Sequence, residues 1–199
     1  MRLFLCSHFA KVGTLLSDEV EGKNVVFIPT ASINEGYKGY VSSARKLWKK
    51  MNVNISELEI STSSEDEIRK TFENADILYF TGGNTFFLID QLRKTGTDEL
   101  VKKHLNDGKL YVGESSGAIV CAKELSYIKS MDEVPEDFSQ EDYSGLGLID
   151  FFVVPHYLCP PFTKCSKKIL VEYPDLNIEA ITNSEAIVVD DGEKRRVNI

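Results

Sequence analysis

The run Ile77-Leu78-Tyr79-Phe80 is apolar at every position and stops at once in Thr81-Gly82-Gly83-Asn84, after which a helix-spaced apolar stretch covers residues 86–93. A strand with no polar alternate residue must be covered on both faces, which puts it inside a parallel sheet with helices on either side. The same order recurs along the chain. Residues 3–6, 25–28 and 53–60 are strand candidates, and Leu110-Tyr111-Val112 runs into Gly113-Glu114-Ser115-Ser116-Gly117. Between them Tyr37, Tyr40, Val41, Ala44, Leu47, Trp48 and Met51 recur at steps of three or four, one stripe of a helix over 34–51 with Trp48 in the core. Ser64 and Glu67 make an S-x-x-E capping box ahead of Ile68 and Phe72. Residues 151–154 read as another doubly apolar strand, stopped by Pro155-His156. Strands at 178–182 and 186–189 follow, with Asp190-Asp191-Gly192 as a hairpin turn. The stretch 131–147 has no period and reads as a long loop, of the kind that often carries function.

These elements predict an α/β fold, a mostly parallel central sheet with helices on both faces and a small C-terminal hairpin. At 199 residues the chain is read as a single domain over 1–199, since a domain takes roughly 150 residues. Thirty-one acidic against 23 basic residues give a net charge of −8, which disfavours phosphate backbones and anionic membrane surfaces. The basic runs at 45–50, 164–168 and 194–196 are short and read as solvated faces. No apolar stretch approaches the ~20 residues of a membrane span. The opening Met1-Arg2-Leu3-Phe4-Leu5-Cys6 has no secretory pattern, and Cys6, Cys121, Cys159 and Cys165 form no C-x-x-C pair. A reduced, cytoplasmic protein is expected, with no nucleic-acid or membrane partner, as a monomer or homodimer.

Gly113-Glu114-Ser115-Ser116-Gly117 satisfies G-x-S-x-G where a strand becomes a helix, the context in which that pattern holds a serine on a strained elbow. Ser115 is the candidate nucleophile, and the N–H of Ser116 would point at a developing oxyanion. Ser116 itself lacks the symmetric glycines. A serine hydroxyl needs a base. Of the three histidines, His104 reads as a partly exposed helix residue, His8 follows the first strand and is kept as a substrate contact, and His156 is the better base. Ser115, His156, His8 and the Gly82-Gly83 turn all lie at carboxyl ends of strands, where open α/β sheets bind ligands. The bare N–H of Gly83 suits an oxyanion hole. Asn84 in the same turn is a further substrate-contact candidate. No cofactor or metal is called for, because no His/Cys/Asp/Glu grouping has ligand spacing.

Together Val-Phe-Ile-Pro at 26–29, Gly-Gly-Asn-Thr-Phe at 82–86, Leu-Tyr-Val-Gly-Glu-Ser-Ser-Gly-Ala at 110–118 and Pro-His at 155–156 resemble peptidase E, the aspartyl dipeptidase family of serine peptidases, with cyanophycinase more distant. The resemblance implies a three-layer fold like the class I glutamine amidotransferases and an intracellular role in cleaving small peptides. It implies a catalytic triad in which Ser115 is nucleophile and His156 base, with Gly83 and Ser116 lining the oxyanion hole. The triad acid it implies is Asp132, with Glu124 and Glu133 as alternatives. Two departures stand out. Ser116 replaces the usual alanine, and no Thr-Arg segment follows the histidine to hold a substrate aspartate, so Lys164, Lys167 or Lys168 would have to supply that charge. The rival readings are an esterase or amidase on the same elbow, and a catalytically silent protein that binds a small anion.

Overall fold

The structure is a computed structural model and describes residues 1–199. Its strands are β1 (Arg2–Cys6), β2 (Asn24–Ile28), β3 (Asn54–Glu57), β4 (Ile77–Phe80), β5 (Leu110–Glu114), β6 (Phe152–Val154), β7 (Ile178–Ala180), β8 (Glu185–Asp190) and β9 (Glu193–Asn198). The helices are α1 (Phe9–Val12), α2 (Ser17–Val20), α3 (Gly39–Lys50), α4 (Glu65–Glu73), α5 (Thr85–Lys94), α6 (Thr97–Asn106), α7 (Ser116–Ile119) and α8 (Thr163–Glu172). Seven strands form one sheet in the order β3-β2-β4-β5-β1-β8-β9. The five from β3 to β1 are parallel, while β8 and β9 are antiparallel additions.

The two-residue period of the strands divides the core between the two faces. Leu3, Leu5, Val26, Ile28, Leu78, Phe80 and Tyr111 pack with residues of α4 to α7. Phe4, Val25, Phe27, Ile77, Tyr79 and Val112 pack with α1 and α3, where Trp48 stacks on Phe9 at 4.5 Å between ring centres. All four residues of β4 are buried because each has a helix layer to meet. Ser64 caps α4 by accepting the Glu67 N–H, as its spacing predicts. The C-terminal hairpin turns at Asp191 and Gly192, both with positive φ (45° and 88°), the combination a tight two-residue hairpin turn requires.

Three elements differ from the sequence reading. The helix expected from 34 begins at Gly39, and the strand expected over 53–60 is confined to Asn54–Glu57, an edge strand with mostly exposed side chains. The apolar run at 151–154 does not join the main sheet. It becomes β6, which pairs in parallel with β7 in a two-stranded sheet of its own. Its residues are apolar on both faces because both are packed, and periodicity alone does not say against which sheet.

His104 differs as well. It is only 4% exposed, its Nε2–H donates to the Leu110 carbonyl at 3.0 Å, and its Nδ1 has no partner. Burial pushes it from 6.5 down to about 4. Between those values the unfolded chain binds a proton that the native chain does not, so stability falls as pH falls through that window. The loss should be on the order of 3 kcal/mol. His104→Gln is expected to remove this component from the pH dependence of the urea midpoint. Asp132 titrates with the opposite sign over pH 3.8 to about 6, so the difference between variant and wild type is the informative curve. Identical slopes in the two proteins would refute this account of His104.

Candidate active site

β5 ends at Glu114 and α7 begins at Ser116, leaving Ser115 alone to make the turn. Its φ of 50° and ψ of −108° lie where a side chain is strained. A Cβ on Gly113 would stand 2.3 Å from the Gly117 carbonyl oxygen, and one on Gly117 2.6 Å from that of Phe80. Only glycine fits at either position. The Ser115 N–H donates to the Cys6 carbonyl at 2.8 Å, fastening the elbow to β1.

His156 comes from the far side, in the turn after β6, also at positive φ (56°). Its N–H donates to Ser7 Oγ at 3.0 Å, and the Ser7 hydroxyl donates to the Ile181 carbonyl at 3.0 Å. Ser7 thereby joins the end of β1 to both segments that flank the histidine. Phe162 stacks on the imidazole at 4.8 Å. The ring lies between two partners: Nδ1 is 2.6 Å from Asn183 Oδ1, and Nε2 is 3.0 Å from Ser115 Oγ. An amide oxygen only accepts, so Nδ1 carries the hydrogen and Nε2 offers a lone pair to the Ser115 hydroxyl. Burial, with His8 acting in the same direction, pushes His156 below the usual 6.5, against the Asn183 hydrogen bond and the negative charge of Glu114. The imidazole is therefore neutral at pH 7, the state in which it can take a proton from serine.

The Gly82-Gly83 turn packs against the elbow, with an ideal Cβ on Gly82 3.2 Å from the Ser115 Cβ. The N–H groups of Gly83 and Ser116 donate to no atom of the protein. Two bare donors beside the serine are what a developing oxyanion needs. The Ser116 hydroxyl is buried and donates to the Thr81 carbonyl at 3.2 Å, which takes it out of competition with Ser115.

The carboxylates expected to orient His156 all lie elsewhere. Asp132 Oδ2 accepts the Thr85 N–H at 2.9 Å, at the start of α5, and burial raises its carboxyl to about 6. Glu124 accepts the Ser126 N–H, and the Glu133 side chain is exposed. The long segment that carries Asp132 is drawn to α5 instead. Asn84 donates to the Glu133 carbonyl, Asp90 holds Ser139 and Gln140, and Arg93 donates to the Ser144 carbonyl. A helix N-terminus attracts a carboxylate, and these bonds hold the whole segment on that helix, away from the histidine.

Of the other expected residues, His8 does reach the site's edge, its Nδ1 3.3 Å from Glu114 Oε1. Asn84 caps α5 by accepting the Phe87 N–H at 2.8 Å. Lys164 is exposed on the first turn of α8, two residues from Phe162. The sequence reading missed Asn183, Ser7 and Phe162. Asn183 lies just past the carboxyl end of β7, so the rule that gathered Ser115 and His156 covers it; a search restricted to carboxylates passed it over.

The positions of Asp132 and Asn183 separate two outcomes. Asp132→Asn is expected to change kcat/KM by less than about tenfold, whereas Asn183→Ala, which frees the imidazole to turn, should cost roughly a hundredfold. Peptide hydrolysis by both variants under one set of conditions checks this, and the reverse ranking would reinstate Asp132.

Comparison with known proteins gives the family. A family model for peptidase family S51 matches residues 6–197. The chain is 41% identical over 195 residues to an uncharacterized peptidase of Listeria innocua, covering 96% of this chain and 93% of that one. It is 33% identical over 135 residues to peptidase E of Shewanella amazonensis, covering 68% of this chain and 54% of that longer protein. A crystal structure from Listeria monocytogenes EGD-e, described as a candidate peptidase E, superposes with a TM-score of 0.95 at 37% identity over 100% of this chain and 98% of its own. The chain belongs to peptidase family S51 and is a serine peptidase.

Proposed function

We propose that the protein hydrolyses short peptides through an acyl-enzyme on Ser115. The observation that carries this reading is the line Ser115 Oγ, His156 Nε2, His156 Nδ1, Asn183 Oδ1, with spacings of 3.0 Å and 2.6 Å across its two hydrogen bonds. In the first step Ser115 Oγ bonds to the substrate carbonyl carbon while its proton passes to His156 Nε2, and the carbonyl electron pair moves onto oxygen facing the N–H groups of Gly83 and Ser116. The tetrahedral species collapses as the C–N bond breaks and His156 returns the proton to the leaving amine. Water, deprotonated by the same histidine, then releases the acid and restores Ser115.

The finer proposal is cleavage of dipeptides with an N-terminal aspartate, its carboxylate met by Lys164. Lysine offers a point charge without the planar fork of arginine, so Asp-X should exceed Ala-X by no more than about tenfold. No helix is long and apolar enough to cross a membrane, and the small-peptide reading fits a cytoplasmic enzyme acting as monomer or homodimer. The test is a dipeptide panel followed by release of free amino acid, with Ser115→Ala and Lys164→Gln alongside. Hydrolysis lost in Ser115→Ala supports the reading, and a fall confined to Asp-X in Lys164→Gln supports the finer one. Hydrolysis that survives in Ser115→Ala overturns it.

A further inference from the structure

Asn183 orients His156, but a neutral amide brings no negative charge to the imidazolium that forms when Ser115 gives up its proton. We propose that this charge comes from Glu114, the residue immediately before the nucleophile, acting through space on His156 without a hydrogen bond to it. The inference rests on Ser115 and His156 being nucleophile and base.

Glu114 is 2% exposed at the end of β5. Its Oε1 accepts the Phe9 N–H at 2.8 Å and lies 3.3 Å from His8 Nδ1, and its Oε2 accepts the Tyr79 hydroxyl at 2.5 Å. No lysine or arginine pairs with it; His8 is its one ionisable basic neighbour within salt-bridge distance. A buried carboxylate without a cation is costly unless donors satisfy it. Here they come from β4 and from the start of α1, so the charge is fixed in a low-dielectric layer beneath the elbow. Such a fixed charge costs no reorganisation when the reaction creates a cation.

The groups around Glu114 respond to it as this requires. Cys6 across the β1–β5 pair, Tyr79 from β4 and Tyr40 from α3 are all pushed up by burial, with Glu114 adding to each. His156 is pulled by Glu114 toward its protonated form, while His8 opposes that pull. His8 meets the same carboxylate from the edge of the site, its Nδ1 3.3 Å from Glu114 Oε1.

The test compares pH profiles of kcat/KM for wild type, Glu114→Gln and Glu114→Asp, with folding checked by thermal melting. Glu114→Gln is expected to lower kcat on the order of tenfold with KM unchanged, because the interaction exists only once the imidazolium forms. It should also move the acid limb to lower pH by about half a unit or more. Glu114→Asp keeps the charge and should keep the wild-type acid limb. Asn183→Asp placed in the Glu114→Gln background should recover most of the lost kcat. A Glu114→Gln variant with wild-type kcat and acid limb, or a Glu114→Asp variant that shifts as Glu114→Gln does, overturns the proposal. If neither variant folds, Asn183→Asp alone decides: a change in kcat of less than about threefold fits a charge already in place, and a gain of about tenfold overturns it. A wild-type protein that hydrolyses no peptide and takes no fluorophosphonate would instead sink the underlying reading, and this inference with it.

Discussion

His156→Ala is expected to lower kcat by about 10⁴- to 10⁶-fold while leaving the fold intact. Its side chain is the sole partner of the Ser115 hydroxyl, at 3.0 Å, and without it the proton has no acceptor in the protein. Its N–H, bonded to Ser7, is retained in the variant, so the turn after β6 should hold. Residual activity from binding and the oxyanion donors should remain above the uncatalysed rate. The loss should appear in kcat with little change in KM, read from initial rates on a short peptide. A pH profile of the wild type adds a check on sign: with His156 pushed down by burial, the acid limb of kcat/KM should fall below pH 6.5. A limb above that value would mean that the imidazole gains charge stabilisation exceeding its burial cost.

Gly83→Ala is expected to be the most damaging single methyl in the molecule. The added Cβ would stand 2.0 Å from the Ala31 carbonyl oxygen and 2.2 Å from the Ala31 carbonyl carbon, at a φ of 138° that side chains rarely adopt. Both neighbours are backbone and cannot swing aside. The turn also hangs on the Asn84 N–H, which donates to that same Ala31 oxygen at 2.8 Å. The cost should be about 3–5 kcal/mol of stability, a drop of roughly 10 °C in Tm for a chain of this size. Any folded fraction should have its Gly83 N–H displaced and lose a further 10²- to 10³-fold in kcat. Gly82→Ala is the control, since its Cβ would meet side chains first, Ser115 at 3.2 Å and Tyr40 at 3.4 Å, and backbone only at the ordinary contact distance of 3.8 Å from the Glu114 carbonyl oxygen. Thermal melts of the two variants decide the matter. Equal stabilities would mean that the turn is softer than its geometry implies.

What the sequence conveys here is set by the range of the forces involved. Strand β4, the Ser64 cap, the elbow around Ser115 and the turn at Gly82-Gly83 are legible because each is determined by residues within a few positions. The approach of His156 to Ser115 is long-range; the carboxyl-end rule gathers both residues, but it does so on the expectation that 151–154 joins the main sheet, whereas β6 pairs with β7 in a sheet of its own. Asp132 shows where such reasoning stops. Nothing local says whether a carboxylate in a long loop turns toward a histidine or toward the start of α5, and the outcome depends on Asp90, Asn84 and Arg93 anchoring the whole segment. Asn183 was hidden by its chemistry, since an amide gives no signal in a search for acids. The β6–β7 pair and the burial of His104 depend on packing between segments far apart in the chain, for which a pattern of apolar residues is silent.

The account turns on one claim, that Ser115 is an activated nucleophile. Intact-protein mass after exposure to a fluorophosphonate tests it most directly, with Ser115→Ala and His156→Ala run beside the wild type. The account predicts a single adduct on the wild type, none on Ser115→Ala, and slow or no labelling of His156→Ala. A correctly folded wild type that takes up no adduct, or an adduct that persists in Ser115→Ala, would contradict it.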